Sequence, residues 1–314
     1  MKISFVTTIY RTAQDIEPFA ARAAEAAQQL GFDLEVVFVN DGSPDNGREI
    51  AIALAARNPA VVVVDLSRNF GQHKALWTGL GAATGDLLVV MDGDMEEDPL
   101  WAMEFHRVLT EQRSDVVYGV QKKPKGNPLY RACRNLFYGL LNVVSDLEFP
   151  KDVMTARLMT RRYVDALLSF EEREIFFLGL MHVTGFRQIP IELRKEHRSP
   201  TTYTFKKLVR LFLMAITSFS IAPLIGVFVA GIAISFGAFL FICFLVANYY
   251  LRGVGVEGWT SVMAAVIMLG GVFTFTNGLI AIYVGTIFLE VKRRPRTIVA
   301  AIHRAGPDSL HSSS

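Results

Sequence analysis

The sequence predicts an α/β fold, a doubly wound and Rossmann-like sheet, followed by a C-terminal membrane anchor of two helices. Three observations support this. Short β-branched runs alternate with amphipathic segments over the first two thirds of the chain, as in a sheet with helices on both faces. One of these runs ends in two closely spaced aspartates. Two long segments near the C-terminus carry no charged side chain.

The order of the predicted elements follows from apolar spacing and from the residues that end each run. The segment 16–30 has the apolar spacing of a helix, and Gly31 ends it. Ser43 is expected to cap the next helix, with Pro44 in its first turn. Strands are predicted at 3–9, 34–39, 61–66, 87–91, 115–120 and 186–193, and further helices at 75–84, 99–113, 158–168 and 171–183.

The stretch from Leu87 to Pro99 is the candidate active site. Its apolar part is typical of a strand buried on both faces, and it ends at Asp92 and Asp94 with Gly93 between them. Ligands of open α/β sheets bind beyond the carboxyl ends of the strands. Carboxylates at that edge suit Mg²⁺ or Mn²⁺ holding a diphosphate. Two solvated loop acids are the alternative that this motif alone leaves open.

Composition limits the class of protein. Hydrophobic residues make up 51% of the chain and charged residues 20%. The net charge of +2 provides no strongly basic field, so we expect no nucleic-acid partner. Two cysteines, Cys133 and Cys243, do not make a disulfide framework. The N-terminal apolar run is too short for a signal peptide, so we expect the catalytic part to stay in the cytosol.

The apolar excess lies in two segments that are long enough to cross a membrane. No Asp, Glu, Lys or Arg lies between Arg210 and Arg252, or between Glu257 and Glu290. Each gap exceeds the roughly 20 residues that span a bilayer. The expected spans, within a membrane domain at 220–290, run from Pro223 to about Tyr249 and from Trp259 to about Leu289.

A stripe of apolar residues precedes the spans, with Lys206, Lys207 and Arg210 on the other face. It predicts a juxtamembrane amphipathic helix at 201–219 in the membrane interface, or alternatively a helix packed on the soluble domain. Basic residues flank the two spans on their outer sides. The positive-inside rule therefore places both ends of this inner-membrane, multi-pass protein in the cytosol. We expect the tail at 291–314 to be basic and then disordered.

Together these motifs resemble glycosyltransferase family 2. Within it, the chain is similar to polyprenyl-phosphate glycosyltransferases, the relatives of dolichol-phosphate mannose synthase and of bactoprenol glucosyltransferase. The resemblance rests on the Asn-Asp-Gly-Ser turn at 40–43, the pair Asp92 and Asp94, and the two-span tail. It implies a GT-A fold for residues 1–200, a nucleotide-sugar donor, Mg²⁺ or Mn²⁺ as cofactor, a polyprenyl phosphate acceptor and a lipid bilayer as partner.

The resemblance also implies roles for single residues. Asp94 and Asp152 match catalytic positions, and Asp92 and Asp94 match the metal ligands. Asp41 matches the acid that contacts the base of the nucleotide, and Asn40 stands where many relatives have a second acid. The implied donor-binding residues are Thr8, Tyr10, Asp41, Gly71, Lys74 and Asp92. The implied residues for the acceptor phosphate are Arg157, Arg198 and Tyr203.

General chemistry supports this reaction. A lipid phosphate would attack the anomeric carbon of a sugar and expel a nucleoside diphosphate, whose charge a divalent cation stabilises. A single displacement inverts the anomeric centre. Because a phosphate oxyanion is already a nucleophile at neutral pH, Asp152 either acts as a base or orients the acceptor, and both roles stay open.

Three functions are compared. The first is transfer of glucose or galactose from a UDP-sugar to undecaprenyl phosphate at the cytosolic membrane face. The second is a processive polysaccharide synthase, but the Q-x-x-R-W motif of such enzymes does not occur. The third is an inactive membrane scaffold, which the intact acids disfavour. Gly226, Gly231 and Gly237 suit helix association and so a homo-oligomer, and Thr276 and Asn277 are expected to hydrogen-bond between helices.

Overall fold

The computed structural model describes residues 1–121, 153–172, 177–194, 222–252 and 258–305. These residues fall into two compact units. The first unit contains the described residues up to 194 together with 293–305, and the second contains 222–252 and 258–292. The chain thus returns to the first unit after the second.

The first unit is built on one eight-stranded sheet. Its strands are β1 Lys2–Ile9, β2 Asp33–Asn40, β3 Val61–Leu66, β4 Leu87–Val90, β5 Val116–Gln121, β6 Val153–Thr160, β7 Gln188–Leu193 and β8 Val299–His303. Its helices are a 3₁₀ turn at Ala13–Asp15, α1 Ile16–Leu30, α2 Gly47–Arg57, α3 Gln72–Ala82, α4 Trp101–Gln112, α5 Arg161–Leu168 and α6 Phe177–Val183.

Helices cover both faces of this sheet. Side chains alternate between the faces along a strand. Phe5 of β1 belongs to the same buried cluster as Phe19 of α1, whereas its neighbour Val6 lies against Gly79 of α3. A Cβ at Gly79 would be 2.6 Å from the Val6 side chain, so the glycine allows α3 to approach the sheet closely.

The predicted α/β fold is confirmed, but the sheet is mixed rather than parallel throughout. The strand order is β7-β5-β6-β4-β1-β2-β3-β8. β1 is parallel to β2 and β4, and β2 is parallel to β3. β6 is antiparallel to both β4 and β5, and β8 is antiparallel to β3. The carboxyl ends of β1, β2 and β4 therefore meet at one edge of the sheet.

β6 is a strand where the sequence analysis predicted the start of a helix at 158. Leu158 and Met159 are completely buried and pair with Val89 and Leu88 of β4. A short apolar run of this kind fits a buried strand as well as a buried helix, and tertiary pairing decides between them. The helix begins at Arg161 instead.

The prediction for Ser43 and Pro44 was also wrong, because α2 begins only at Gly47. The Ser43 hydroxyl donates a hydrogen bond to Asp45 at 2.5 Å and accepts one from the Arg11 N–H at 2.8 Å. Ser43 therefore ties the loop after β2 to the end of β1 rather than capping a helix.

The tail was predicted to be basic and then disordered, yet part of it is a strand. Val299–His303 form β8 at the edge of the sheet, next to β3. Its five residues lack the periodicity of a longer element, so their sequence gave no signal for pairing. Residues 306–314 lie outside the described part of the chain.

The second unit contains two long helices that contact each other, α7 Ala222–Arg252 and α8 Trp259–Val291. The helices occupy the positions of the two predicted spans, and that both cross a membrane stays a prediction. Among the residues described, one stretch, Met268–Val291, is long and apolar enough to cross a bilayer by length and composition. A shorter apolar stretch is Leu224–Ile234.

Polar side chains inside α8 bond to their own helix. Thr276 Oγ1 donates to the Val272 carbonyl at 2.9 Å, and Asn277 Nδ2 donates to the Phe273 carbonyl at 2.9 Å. The preceding turn offers an acceptor within reach of short polar side chains. A hydroxyl and an amide each have further hydrogen-bonding capacity, so bonding of these side chains between helices, across an oligomer included, stays a prediction.

Candidate active site

A cavity of about 380 Å³ lies where β1, β2 and β4 end. It is lined by Thr8, Tyr10, Thr12, Asp41, Asn69, Gly71, Gln72, Asp92, Gly93 and Asp94. The structure thus brings together most of the residues that the resemblance implied for donor and metal. Three lining residues were not predicted from the sequence, namely Thr12, Asn69 and Gln72. The sequence indicates them only by position, because Thr12 and Asn69 lie in the loops after β1 and β3 and Gln72 begins α3.

Asp92 and Asp94 are held at the cavity by the close packing of Gly93. A Cβ at Gly93 would lie 2.6 Å from the Thr8 carbonyl oxygen and 2.9 Å from the Thr7 hydroxyl. No side chain fits there without moving the main chain of β1. The glycine therefore lets the chain after β4 cross directly against the end of β1, with an acid on either side of the contact.

The two residues Glu96 and Glu97 form hydrogen bonds with the two acids and so fix their positions. The Asp92 N–H donates to Glu97 Oε2 at 3.0 Å, and Glu97 is 0% exposed. The Glu96 N–H donates to Asp94 Oδ1 at 3.1 Å. Glu97 was not singled out from the sequence, because nothing in its acidic run separates one residue from the next.

Asp41 joins the loop after β2 to the loop after β3. Its carboxylate accepts the Phe70 N–H at 2.6 Å and the Gly71 N–H at 2.9 Å, and it is 2% exposed. Burial raises the pKa of the Asp41 carboxyl above its ordinary value, and the two N–H donors and the charge of Arg68 offset part of that rise.

The turn beside Asp41 requires a glycine. Gly42 has a φ of +62°, and a Cβ there would lie 2.6 Å from the Asn69 nitrogen. The loop that contains Asn69 and Gly71 therefore packs directly on this turn. The same loop leads into α3, whose first residue, Gln72, donates to Asp92 Oδ1 at 2.7 Å.

The acids fit a hard divalent cation that shares its coordination with a substrate. Mg²⁺ is commonly held by one or two carboxylates plus substrate phosphates and water. Asp92 and Asp94 supply two carboxylates on the wall of one cavity. Among the described residues no group of three or more His, Cys, Asp or Glu side chains could hold a metal by itself. The donor set therefore suits a cation completed by phosphate oxygens.

Two of the implied site residues do not line this cavity. Lys74 lies in the first turn of α3 and is not among the lining residues. Arg157 is 4% exposed, and its guanidinium donates to the carbonyls of Thr155 at 3.0 Å and Met154 at 2.9 Å. These bonds hold the start of β6, and the phosphate contact of Arg157 stays a prediction, because the other residues implied for the acceptor lie outside the described part of the chain.

The remaining implied residues lie outside the described residues. These are Asp152, Arg198 and Tyr203, and the predicted amphipathic helix at 201–219 lies there too.

Asn40 belongs to a buried polar network rather than to the cavity wall. Its Nδ2 donates to Asp65 Oδ1 at 2.7 Å, and its Oδ1 accepts the Ser43 N–H at 3.0 Å. Arg48 Nε donates to the other oxygen of Asp65 at 2.6 Å. An amide satisfies both neighbours because it can donate and accept at once. A carboxylate could only accept, and it would face Asp65.

We therefore expect Asn40→Asp to lower the free energy of unfolding at neutral pH by about 1 to 3 kcal/mol, since two buried carboxylates would meet without a donor between them. The loss should shrink as the pH is lowered, because protonation of either carboxyl restores a donor. Urea unfolding at two pH values measures this. Asn46→Asp, the same change at an exposed position, is the control. Equal losses in the two variants would contradict the network.

Ligands of open α/β sheets bind beyond the carboxyl ends of the strands, and paired acids at that edge suit a cation that binds a phosphorylated ligand. The family model described as Glycosyl transferase family 2 matches residues 4–168. The chain belongs to glycosyl transferase family 2 and is a glycosyltransferase.

Relatives match over nearly the whole chain. A protein of Mycobacterium tuberculosis (strain CDC 1551 / Oshkosh) named "Putative glycosyltransferases" is 39% identical over 100% of this chain and 92% of its own. The SfII prophage-derived bactoprenol glucosyl transferase of Shigella flexneri is 33% identical over 98% of this chain and 100% of its own. A crystal structure of glucosyl-3-phosphoglycerate synthase from M. tuberculosis matches with a TM-score of 0.49 and 19% identity, covering 69% of this chain and 79% of that one.

Proposed function

We propose that this enzyme transfers glucose from UDP-glucose to a polyprenyl phosphate such as undecaprenyl phosphate, with inversion at the anomeric carbon. The observation that carries the proposal is the cavity in which Asp41, Asp92 and Asp94 meet at the end of three strands. Relatives named bactoprenol glucosyl transferase, 33% identical over 98% of the chain, support glucose and a polyprenyl acceptor.

The donor would lie across the cavity, with its nucleoside at one side and its diphosphate at the other. Thr8, Tyr10 and Asp41 form the nucleoside side, and Tyr10 is 44% exposed, so its ring is available to a base. The Asp41 oxygens already bind main-chain N–H groups, but each has a further lone pair for a ring N–H of the base. Asp92 and Asp94 form the diphosphate side.

The reaction needs few protein groups besides those that position the substrates. An oxygen of the acceptor phosphate attacks the anomeric carbon, and the bond from that carbon to the diphosphate oxygen breaks with its electron pair leaving on UDP. Asp92 and Asp94 would hold Mg²⁺ or Mn²⁺, which neutralises charge on the leaving diphosphate. The protein supplies alignment of the two substrates, which contributes a large part of the rate enhancement.

The acceptor side of the proposal rests on residues outside the described part of the chain. Asp152 is proposed to act as a base or to orient the acceptor, and Arg198 and Tyr203 to bind its phosphate. Arg157 supports this region by holding the start of β6, the strand that follows Asp152.

The first compact unit contains the cavity, and we call it the catalytic unit. We also propose a two-span anchor with the catalytic unit on the cytosolic side of the membrane. The helices α7 and α8 have the lengths and positions of the predicted spans. Their apolar residues are extensively exposed in the monomer, which suits lipid contact or association of copies into a homo-oligomer.

Incubation of the full-length protein with undecaprenyl phosphate, Mn²⁺ and labelled nucleotide sugars tests the proposal. The panel contains the UDP and GDP forms of glucose, galactose and mannose. We expect label to enter the lipid fraction from UDP-glucose, and to be released as glucose by mild acid. Label that enters the lipid only from UDP-galactose would show that the transferred sugar is galactose and not glucose. Label in a long polymer would favour a processive synthase, and no transfer from any donor would favour the inactive scaffold.

A further inference from the structure

The segment 296–303, which we call the C-terminal strap, belongs to the catalytic unit although it follows the long helix α8 in sequence. Its strand β8 pairs antiparallel with β3, for example Val299 with Leu66. The Ser67 N–H, one residue beyond β3, donates to the Ile298 carbonyl at 2.9 Å. The strap therefore holds the point where the chain leaves β3.

The strap also holds the helix that follows. Thr297 Oγ1 and Thr78 Oγ1 of α3 form a hydrogen bond of 2.7 Å. The Arg296 guanidinium lies over the ring of Trp77, 4.5 Å from its centroid. It also donates to the carbonyls of Phe170 and Glu172. Trp77 is buried, so a partly buried cation–π contact fixes this side of α3.

Between these attachment points the chain comprises the loop 67–71, which enters the cavity, and the first turns of α3. Asn69 and Gly71 line the cavity, and the main-chain N–H groups of Phe70 and Gly71 bind Asp41. The next residue, Gln72, binds Asp92. The loop is thus held on its cavity side by the acids of the site, at its start by the strap, and at its end through α3, which the strap contacts. No strap residue lines the cavity.

We infer that the C-terminal strap positions the donor-binding loop 67–71, and that Thr297 and Arg296 are positioning residues for donor binding. When a loop must be ordered before it binds a ligand, the apparent affinity is the intrinsic affinity multiplied by the fraction of time that the loop is ordered. The strap raises that fraction by fixing the start of the loop and the helix into which the loop leads. The part of the inference that concerns the donor rests on the proposed function, whereas the ordering of the loop does not.

Thr297→Val in the full-length protein tests the inference, because valine keeps the shape of threonine and removes the hydroxyl. Loss of one neutral hydrogen bond should open the loop about fivefold more often. Hydrogen exchange of a peptide that covers 67–72 should therefore be about fivefold faster than in the wild type. The KM for UDP-glucose should rise by at most this factor with kcat nearly unchanged, because the apparent affinity scales with the fraction of time that the loop is ordered. Thr297→Ser, which keeps the hydroxyl, should restore both values.

Two further variants separate positioning from general destabilisation. Thr78→Val removes the partner hydroxyl, which also donates to the Lys74 carbonyl at 3.0 Å, so the double variant Thr78→Val with Thr297→Val should be no worse than Thr78→Val alone. Thr110→Val, on the exposed face of α4, is the control and should leave the loop and the KM unchanged. Faster exchange spread evenly over the whole catalytic unit, exchange of the loop equal to that of the wild type, or a lowered kcat with an unchanged KM would overturn the inference.

The two proposals fail in different ways. If the wild type transfers no glucose from UDP-glucose to the lipid, the proposed function is wrong, and exchange of the loop still tests its ordering by the strap. If the wild type is active but Thr297→Val behaves like the wild type in both exchange and KM, the inference is wrong and the proposed function stands.

Discussion

Asp94→Asn should reduce kcat/KM by about 10³-fold or more while the fold stays intact. The change removes one of the two charges that would hold a cation against the donor diphosphate, and electrostatic groups of this kind contribute about two to three orders of magnitude each. Asparagine has the same shape, and its carbonyl oxygen can still accept the Glu96 N–H that now binds Asp94. The loss should therefore appear in catalysis and not in stability. Transfer of labelled glucose and the thermal midpoint measure the two effects.

Asp86→Asn is the matched control for this prediction. Asp86 immediately precedes β4, at the opposite end of the strand from Asp94, and accepts the Lys2 N–H at 2.8 Å. The same chemical change there leaves the cavity untouched, so its kcat/KM should equal that of the wild type. Full activity of Asp94→Asn would remove the assignment of this acid to the metal.

Asp41→Asn should weaken donor binding by about 10- to 100-fold. The Asp41 carboxylate accepts two main-chain N–H groups from the loop 67–71, and hydrogen bonds to a charged group are worth about 1.5 to 3 kcal/mol each. An asparagine side chain can accept one of them through its oxygen, but its NH₂ group would face the other donor. The loop should then lose its place at the cavity. Titration with UDP and Mn²⁺ measures the affinity directly.

The pH dependence of donor binding gives an independent check on Asp41. Because burial raises the pKa of this carboxyl, it takes up a proton at a higher pH than an ordinary aspartate does. The ionised carboxylate accepts the two N–H groups of the loop 67–71. The affinity of the wild type for UDP should therefore fall as the pH drops through this raised pKa. Asp41→Asn should lack that fall. Asp33→Asn, at the exposed start of β2, should keep the wild-type profile.

The sequence predicted the positions of the acids well because they follow buried strands. Asp41 comes directly after β2 and Asp92 shortly after β4, and hydrophobic runs locate such strands without knowledge of the tertiary structure. The rule that ligands bind beyond the carboxyl ends of strands then placed both acids at one edge. The described structure agrees with that reasoning in the cavity that they share.

The residues that the sequence did not identify depend on long-range contacts. Glu97 differs from its acidic neighbours only because its side chain reaches back to the Asp92 N–H. Gln72 is an ordinary polar residue at the start of a helix until the fold brings it to Asp92. β6 and β8 pair antiparallel with strands far away in sequence, and local periodicity does not report such pairing.

Arg157 shows how a family match and a fold contribute different information. The match drew attention to a basic residue of this region, and the fold adds that its side chain is buried and binds main-chain carbonyls of its own strand. The burial and the partners of a side chain depend on the pairing of its strand, which the motif alone does not contain.

The most direct measurement of the central claim is anomalous scattering from crystals of the full-length protein grown with UDP and MnCl₂. The account predicts a manganese peak beside the Asp94 carboxylate, at about the 2.0 to 2.3 Å typical of divalent cations and oxygen ligands, with the UDP diphosphate on its other side and the base toward Tyr10 and Asp41. Bound UDP with manganese at another place, or with no manganese at Asp92 and Asp94, would contradict it.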